Sequence, residues 1–248
     1  LFEPTLFADI DFTTTRHLLE VGCGVAAQSE ILLRRFPDLR ITGIDLNARQ
    51  LDTARAHMAS LPWLEQRWEA IQADAGNLPF EPRRFDGAFL CWILEHVPSP
   101  AQVLAEVRRV LLPGSPVYIN EVMNASFLVD PYSPNLWRYW MAFNDFQIDS
   151  GGDPFVGAKL GNLLLAGGFR DVTTEVKTIH LDNRDPARRK AVFALWEELL
   201  LSAAEQLIAA GKVDLATVEG MRAEFARVQS NPDAVFFYSF VQARALVY

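Results

Sequence analysis

Apolar and polar positions follow two alternating patterns along the first half of the chain. Short apolar runs that end in glycine or an acidic residue are typical of buried strands. Between them, apolar residues recur every three to four positions, which indicates amphipathic helices. This alternation predicts a parallel sheet whose strands are joined by crossover helices. The predicted strands cover residues 16–22, 40–46, 67–74, 85–93 and 115–123.

The pattern changes after residue 124. Residues 124–154 concentrate aromatic side chains among prolines and glycines, which predicts an irregular or short-helical insertion rather than another strand unit. A helix (157–169), a strand (170–181), two helices and a final strand (234–248) are predicted to follow. We therefore expect one domain over residues 1–248, in which residues 125–156 and 183–230 are helical lid insertions that cover the sheet.

Composition and charge narrow the classes of function. The chain has 248 residues, of which 50% are hydrophobic, enough for one large core. A net charge of −8 without any basic run argues against nucleic acid and favours a small-molecule partner. Two cysteines are too few for a disulfide framework, and no signal peptide or membrane span is indicated, so we expect a cytoplasmic protein. The chain begins with Leu rather than Met, so upstream residues are expected; we expect no metal ion and leave a homodimer open.

The stretch EVGCGVAAQSEILL (20–33) places a glycine turn between the first strand and its helix. Glycine lets the backbone approach a ligand, and the helix start supplies unpaired N–H groups. Gly22, Gly24 and Ala27 satisfy a relaxed dinucleotide fingerprint, and Asp45 follows where a carboxylate can bind ribose hydroxyls. Asp74 ends the third strand, where it can accept a hydrogen bond from an adenine amino group. These residues alone leave an NAD-dependent oxidoreductase as an alternative.

Four motifs, in this order, resemble those of the class I S-adenosylmethionine-dependent methyltransferases: LLEVGCGVA, GIDLN, ADAGNLPF and FDGAFLCWILEHVPSP. The resemblance covers roughly residues 16–124 and implies a doubly wound, Rossmann-like α/β sheet of seven strands, mostly parallel with an antiparallel last strand. It implies S-adenosylmethionine as cofactor, S-adenosylhomocysteine as product, and residues 1–124 as the cofactor-binding half. The implied cofactor contacts are Glu20, Gly22, Cys23, Gly24, Asp45, Leu46, Asp74, Ala75, Cys91 and Trp92.

The resemblance also implies a role for each contact. Glu20 and the two glycines would line the methionine end, Asp45 would hold the ribose and Leu46 would pack on adenine. Asp74 with Ala75 would read the adenine edge, whereas Cys91 and Trp92 would flank the sulfonium. The family's frequent third glycine is Ala26 here, which leaves less room at the turn.

Several of these residues also have structural interpretations. Glu20 can accept hydrogen bonds from neighbouring N–H groups, and Asp45 can simply end its strand. Asp74 can begin a turn with Gly76, since Asp is common in that position. Cys91 can pack in the core without taking part in chemistry.

The candidate catalytic residues are His96 and Glu121. Methyl transfer from a sulfonium is an in-line displacement, so alignment and exclusion of water can supply much of the rate without a named acid or base. His96, on the loop after the fourth strand, is the candidate general base because imidazole titrates near neutral pH. Its context, LEHV, also allows a structural role in the loop. Glu121 ends the fifth strand, where we expect it at the same pocket rim, orienting an amine or hydroxyl.

The two insertions are expected to select the methyl acceptor. Their aromatic residues can form a wall over an apolar small molecule, with polar side chains as anchors. The candidate substrate contacts are Tyr132, Trp137, Trp140 and Asn144. The predicted activity is methyl transfer to an oxygen or nitrogen of a small, partly apolar molecule. A protein that binds S-adenosylmethionine without transferring the methyl group is a second alternative.

Overall fold

The computed structural model describes residues 1–248 and contains one sheet of eight strands. The strands are β1 (His17–Val21), β2 (Arg40–Asp45), β3 (Trp68–Gln72), β4 (Gly87–Cys91), β5 (Pro116–Val122), β6 (Leu128–Asp130), β7 (Arg170–Leu181) and β8 (Val235–Leu246). The first five are parallel, in the order β3-β2-β1-β4-β5. The order reverses between β1 and β4, and ligands of open α/β sheets bind at such a switch point, beyond the carboxyl ends of the strands.

Nine α-helices connect and cover these strands. They are α1 (Glu3–Leu6), α2 (Ala27–Arg35), α3 (Ala48–Ala59), α4 (Pro100–Val110), α5 (Pro134–Asp149), α6 (Leu160–Ala166), α7 (Pro186–Leu201), α8 (Ala204–Ala209) and α9 (Leu215–Ser230). The side chain of Asn47 accepts hydrogen bonds from the first N–H groups of α3, and Ser99 caps α4 in the same way. Both helix starts confirm the sequence prediction. None of the nine helices is both long and apolar enough to cross a membrane.

The last strand organises the far edge of the sheet. β8 runs antiparallel to β5 on one side and to β7 on the other, which confirms the predicted antiparallel last strand. The sheet nevertheless has eight strands rather than the predicted seven. Within β8, only Phe240–Leu246 pair with β5. The first part of β8 is therefore free to pair with the three-residue strand β6. Such a short strand has no periodicity that a sequence pattern could reveal.

The region after residue 124 is more regular than its sequence pattern predicted. The 16-residue helix α5 occupies half of residues 125–156, so the prediction of an irregular or short-helical segment was wrong over residues 134–149. Its start is held by Glu224 of α9, whose carboxylate accepts hydrogen bonds from the N–H groups of Asn135 (3.1 Å) and Leu136 (2.8 Å). Glu224 lies far from α5 along the chain, so no sequence pattern around the start of α5 predicts this cap.

Candidate functional site

A cavity of about 400 Å³ opens beyond the carboxyl ends of β1, β4 and β5. One part, the glycine-turn end, is lined by Gly22, Cys23, Gly24, Val25, Ala27, Gln28 and Gln50. The other part, the aromatic end, is lined by Glu95, His96, Val122, Asn124, Trp140, Phe143, Trp196, Leu199 and Tyr238. Cys91 and Trp92, which end β4, complete the lining between the two. The cavity therefore joins the predicted cofactor turn to the predicted acceptor region.

The glycine-turn end is shaped by backbone. Gly22 and Gly24 have φ angles of +73° and +51°, which L side chains rarely adopt. A Cβ atom on Gly22 would also lie 2.8 Å from the side chain of Ile93, on the loop after β4. The turn can hold this shape only without a side chain at Gly22, because a Cβ atom there would collide with the protein itself.

Asp45 fixes the turn from the neighbouring strand. Its Oδ2 atom accepts a hydrogen bond from the N–H of Gly24 (2.9 Å), and its Oδ1 atom accepts one from Asn47 (2.8 Å). Each carboxylate oxygen keeps further acceptor capacity. Leu46 follows with 69% of its surface exposed, a large apolar side chain that the fold leaves uncovered. Neither residue lines the cavity itself, and both lie beside the turn that does.

The segment after β3 forms the turn that its sequence allows. Asp74 Oδ1 accepts a hydrogen bond from the N–H of Gly76 (2.8 Å), and the Asp74 carbonyl accepts one from Asn77 (3.0 Å). Asp74 is exposed and Ala75 half-buried. Oδ2 of Asp74 accepts no hydrogen bond from the protein, so the structural role of this carboxylate leaves an acceptor for a ligand.

Glu20 lies beneath the glycine turn rather than in the cavity wall, which departs from the contact that the resemblance implies. It is 2% exposed and accepts a hydrogen bond from the hydroxyl of Ser29 in α2. Burial raises the pKa of Glu20 to about 8, with the Ser29 hydrogen bond opposing that rise. The carboxyl group therefore ties β1 to α2, the two elements that the turn connects.

The residues at the end of β4 are held tightly. Trp92 has a φ of +56°, and its ring lies edge-on to Phe2 and Phe240, at centroid distances of 6.1 and 6.4 Å. A bulky residue keeps such a backbone only where its surroundings enforce it. Burial raises the pKa of the thiols of Cys23 and Cys91, so neither is a nucleophile.

His96 and its neighbour Glu95 occupy the wall of the aromatic end. The imidazole is 59% exposed, whereas Glu95 is only 7% exposed. Gln147 of α5 donates a hydrogen bond to Glu95 Oε2 (2.8 Å), and Glu95 Oε1 lies 3.6 Å from His96 Nε2. Burial raises the pKa of Glu95, while the charge of His96 and the Gln147 hydrogen bond oppose the rise. The sequence prediction included His96 but missed the buried carboxylate beside it.

Glu121 does not reach the cavity, so its predicted position at the rim was wrong. It is fully buried, and its Oε1 atom accepts hydrogen bonds from the N–H groups of Ile93 (2.9 Å) and Leu94 (2.7 Å). Oε2 has no partner. Burial, followed by the charge of Glu95, raises the pKa of Glu121 to about 8. The side chain positions the loop that carries His96 instead of contacting an acceptor.

Only one of the four predicted acceptor contacts, Trp140, lines the cavity. Tyr132 is 68% exposed, and Trp137 packs against the core. Asn144 is buried behind the wall, where its Oδ1 atom accepts a hydrogen bond from Asn124 (2.8 Å). These three residues therefore lie outside the cavity lining. Trp137 and Asn144 belong to α5, which distributes its side chains over several faces, so tertiary contacts decide which of them meet the cavity, whereas Tyr132 precedes that helix.

Several wall residues were not assigned from the sequence. Trp196 and Leu199 come from α7, within the segment predicted as a lid, and Tyr238 comes from β8. The Tyr238 hydroxyl donates to Asn124 Oδ1 (2.9 Å), and Trp140 Nε1 donates to the Asn124 carbonyl (2.9 Å). The only signal for these residues in the sequence was the presence of aromatic side chains in a predicted lid. That signal does not tell which side chains line the cavity and which pack in the core.

The residues present fit an adenosyl sulfonium cofactor. Gly22, Cys23 and Gly24 line the cavity at the switch point of the sheet, where the two glycines hold the turn at positive φ angles. Asp45 retains acceptor capacity for ribose hydroxyls, and Leu46 offers an uncovered apolar surface. The cavity lining contains one carboxylate and no Lys or Arg, which suits a positively charged sulfonium.

Comparison with known proteins finds similarity to methyltransferases. Residues 19–119 match the sequence family described as "Methyltransferase domain". Phosphoethanolamine N-methyltransferase 2 of Haemonchus contortus, solved with S-adenosyl-L-methionine, has the same fold: the alignment covers 98% of this chain and 51% of that chain, with a TM-score of 0.60 and 18% identity. The matched segment is less than half of the chain, and over it the chain is similar in sequence to methyltransferases, while the whole chain shares their fold.

Two curated relatives are similar in sequence. O-methyltransferase cnsE of Penicillium expansum is 34% identical over 161 residues, which are 63% of this chain and 54% of that protein. O-methyltransferase resE of Aspergillus sclerotiorum is 31% identical over 166 residues, 66% of this chain and 58% of that protein. The chain thus spans just over half the length of these relatives. The matches do not favour the NAD-dependent alternative.

Proposed function

We propose that the chain transfers a methyl group from S-adenosylmethionine to an oxygen or nitrogen atom of a small, partly apolar molecule. One observation carries the proposal: a single cavity joins the glycine-turn end to the aromatic end. Both curated relatives are named O-methyltransferases, which supports oxygen as one acceptor atom. When bound, the cofactor supplies the electrophilic methyl group.

In this proposal the cofactor is held mainly by backbone and by the ends of the first four strands. Gly22, Cys23 and Gly24 contact it through the turn, while Asp45 binds the ribose hydroxyls. Its adenine and sulfonium are contacted by Leu46, Asp74, Ala75, Cys91 and Trp92. Glu20 acts indirectly, by holding β1 and α2 on either side of the turn.

The protein contributes alignment, exclusion of water and proton transfer. The aromatic end orients the acceptor against the cofactor, and proximity of this kind supplies a large part of the rate. His96 receives the acceptor's proton, since its imidazole reaches both the cavity and bulk water. Glu121 positions the loop that carries His96.

The cofactor assignment is tested by calorimetry with S-adenosylhomocysteine. We expect binding to the native chain and no binding of NAD. Asp45→Ala should weaken S-adenosylhomocysteine about a hundredfold, because hydrogen bonds to the ribose are lost from a charged acceptor. Asp52→Ala, which removes an exposed carboxylate from α3, is the control and should leave the affinity unchanged. Equal affinity in both variants would refute the role of Asp45.

Transfer itself is tested with labelled S-adenosylmethionine and a metabolite extract. The native chain should label a small-molecule product, and His96→Ala should lower turnover and change its pH profile while keeping the affinity for S-adenosylhomocysteine. An unaltered rate and pH profile would favour a structural role for His96. Binding of the cofactor without any labelled product or turnover would favour the non-catalytic alternative.

The proposal extends to location and partners. We place the protein in the cytoplasm, supported by two free cysteines that are both buried. The net charge of −8 supports a small molecule rather than nucleic acid as partner. A homodimer is tested by light scattering of the purified chain; a single mass of 27.9 kDa would exclude it under those conditions.

A further inference from the structure

Few charged side chains line the cavity. Among its eighteen lining residues Glu95 is the only carboxylate, and neither Lys nor Arg is present. A second carboxyl group, Glu121, lies behind Glu95, and the charge of Glu95 contributes to the raised pKa of Glu121. His96 is the one lining residue that can carry positive charge, and it already lies 3.6 Å from Glu95. An anionic acceptor would find no Lys or Arg in the cavity, and burial makes its approach to Glu95 unfavourable.

Only one of the two carboxylate oxygens of Glu95 accepts a hydrogen bond within the protein. Oε2 accepts the hydrogen bond of Gln147 at 2.8 Å. Oε1 accepts none from the protein, since His96 Nε2 at 3.6 Å is beyond hydrogen-bonding distance. Unlike Oε2 of Glu121, Oε1 of Glu95 is not fully enclosed. Glu95 lines the cavity and is 7% exposed, and its Oε1 atom, paired only with the imidazole of His96, keeps the capacity to accept a hydrogen bond.

Aromatic rings share the cavity with this acceptor atom. Trp140 stacks on Phe143 with ring centroids 5.8 Å apart, and Trp196 packs on Tyr238 at 4.9 Å. All four rings line the cavity. The faces of aromatic rings attract cations, and a cavity lined by such side chains and a carboxylate has a chemistry that recognises ammonium groups.

We infer that the methyl acceptor carries a protonated amine, and that Glu95 Oε1 with the aromatic rings of the cavity binds this group. The inference rests on the proposed function and names the class of acceptor: a small amine with an apolar or aromatic body. It concerns which molecule is bound, not which of its atoms is methylated. Glu95 is then a residue that determines specificity, alongside the proposed proton acceptor His96.

The test measures binding to the complex with S-adenosylhomocysteine, whose sulfur is uncharged. Three probes share one aromatic body: 2-phenylethylamine is a cation, 2-phenylethanol is neutral and 3-phenylpropionate is an anion. We expect the amine to bind at least tenfold more tightly than the alcohol, and the anion to show no binding. Glu95→Gln should weaken the amine tenfold to a hundredfold, the usual worth of a charge-assisted hydrogen bond, and change the alcohol less than threefold.

A matched variant controls for the overall charge of the protein. Glu198→Gln removes one negative charge from an exposed position of α7, the helix that carries Trp196, and should alter none of the three affinities. If Glu198→Gln weakens the amine as much as Glu95→Gln does, general attraction explains the preference and the inference is overturned. Equal affinities of the native complex for amine and alcohol would overturn it as well, without any variant.

The same titrations distinguish this inference from the proposed function. If the native chain does not bind S-adenosylhomocysteine, the proposed function fails first. If it does bind but shows no preference for the amine, only the inference fails. Glu95 could instead serve the sulfonium: Glu95→Gln would then weaken S-adenosylmethionine relative to S-adenosylhomocysteine and leave the amine unaffected, which would overturn the role in acceptor binding.

Discussion

The two ends of the cavity are built in different ways. Most of the glycine-turn end comes from residues 22–28, a single stretch in which the backbone itself forms the surface. Side chains from the loop after β4 and from β5, α5, α7, β8 and their connections form the aromatic end, and they span residues 95–238 of the chain. A contiguous backbone surface depends on a few local conformations, whereas a wall of distant side chains depends on how whole helices pack.

This difference determines how each end should respond to substitution. Changes in the turn alter the backbone conformation, so they should affect stability and cofactor binding together. Changes in the aromatic end remove contact area from the acceptor only, because the neighbouring helices keep the other side chains of the cavity in place. The four predictions below test this contrast, from the largest expected effect to the smallest.

Gly22→Ala tests whether backbone alone shapes the turn. We expect a loss of about 2 to 4 kcal/mol in unfolding free energy, because a positive φ angle and a collision with Ile93 act together. Gly114→Ala is the matched control: its φ is +86°, but nothing lies within 4 Å of the added Cβ atom. It should cost only about 1 kcal/mol. Equal losses in denaturant unfolding would show that the contact with Ile93 does not constrain the turn.

The two carboxyl groups beneath the cavity make stability depend on pH. Glu20 and Glu121 have pKa values raised to about 8, so both are neutral at pH 6 when folded and ionised when unfolded. The folded state then holds more protons, and stability should fall as pH rises from about 4.5 towards 8, by an amount of the order of 1 kcal/mol per pH unit for each group.

Thermal melts between pH 5 and pH 8 provide the measurement for this titration. Glu20→Gln and Glu121→Gln should each flatten the decline, since an amide does not titrate. The exposed Glu81→Gln serves as the reference and should follow the native curve. A native melting temperature that stays level over this range, or parallel slopes in all four proteins, would contradict the raised pKa values.

Phe143→Ala tests whether the wall can be changed without changing the turn. The ring stacks on Trp140, so its loss should raise the KM for the acceptor about tenfold, from the removal of apolar contact. Affinity for S-adenosylhomocysteine should stay within twofold. Phe146→Ala, a half-buried phenylalanine of the same helix outside the cavity, should leave both quantities unchanged. A parallel loss of S-adenosylhomocysteine binding in Phe143→Ala would show that the two ends are coupled.

The contrast also explains what the sequence could predict. The parallel strands, the glycine turn and Asp45 follow from local periodicity and spacing, and the structure has the strands and the turn where they were predicted. The side chains of the wall could not be assigned, because Trp196 meets Trp140, and Tyr238 meets Trp196, only after α7 and β8 have packed. Glu121 was placed at the rim for its position at a strand end, yet its carboxyl group turns to the N–H groups of the next loop.

Ala26 is where the turn departs from the family's glycine, and it gives the smallest expected effect. Its φ is +66°, a left-handed conformation that strains alanine, but its Cβ atom is fully buried. Ala26→Gly relieves the strain and removes a buried methyl group, and these two contributions nearly cancel. Ala27→Gly, one residue later in α2, only loses helix propensity and should cost about 1 kcal/mol. If denaturant unfolding shows the same loss for both variants, the left-handed alanine stores no strain, and the packing of its methyl group alone explains why glycine is not needed there.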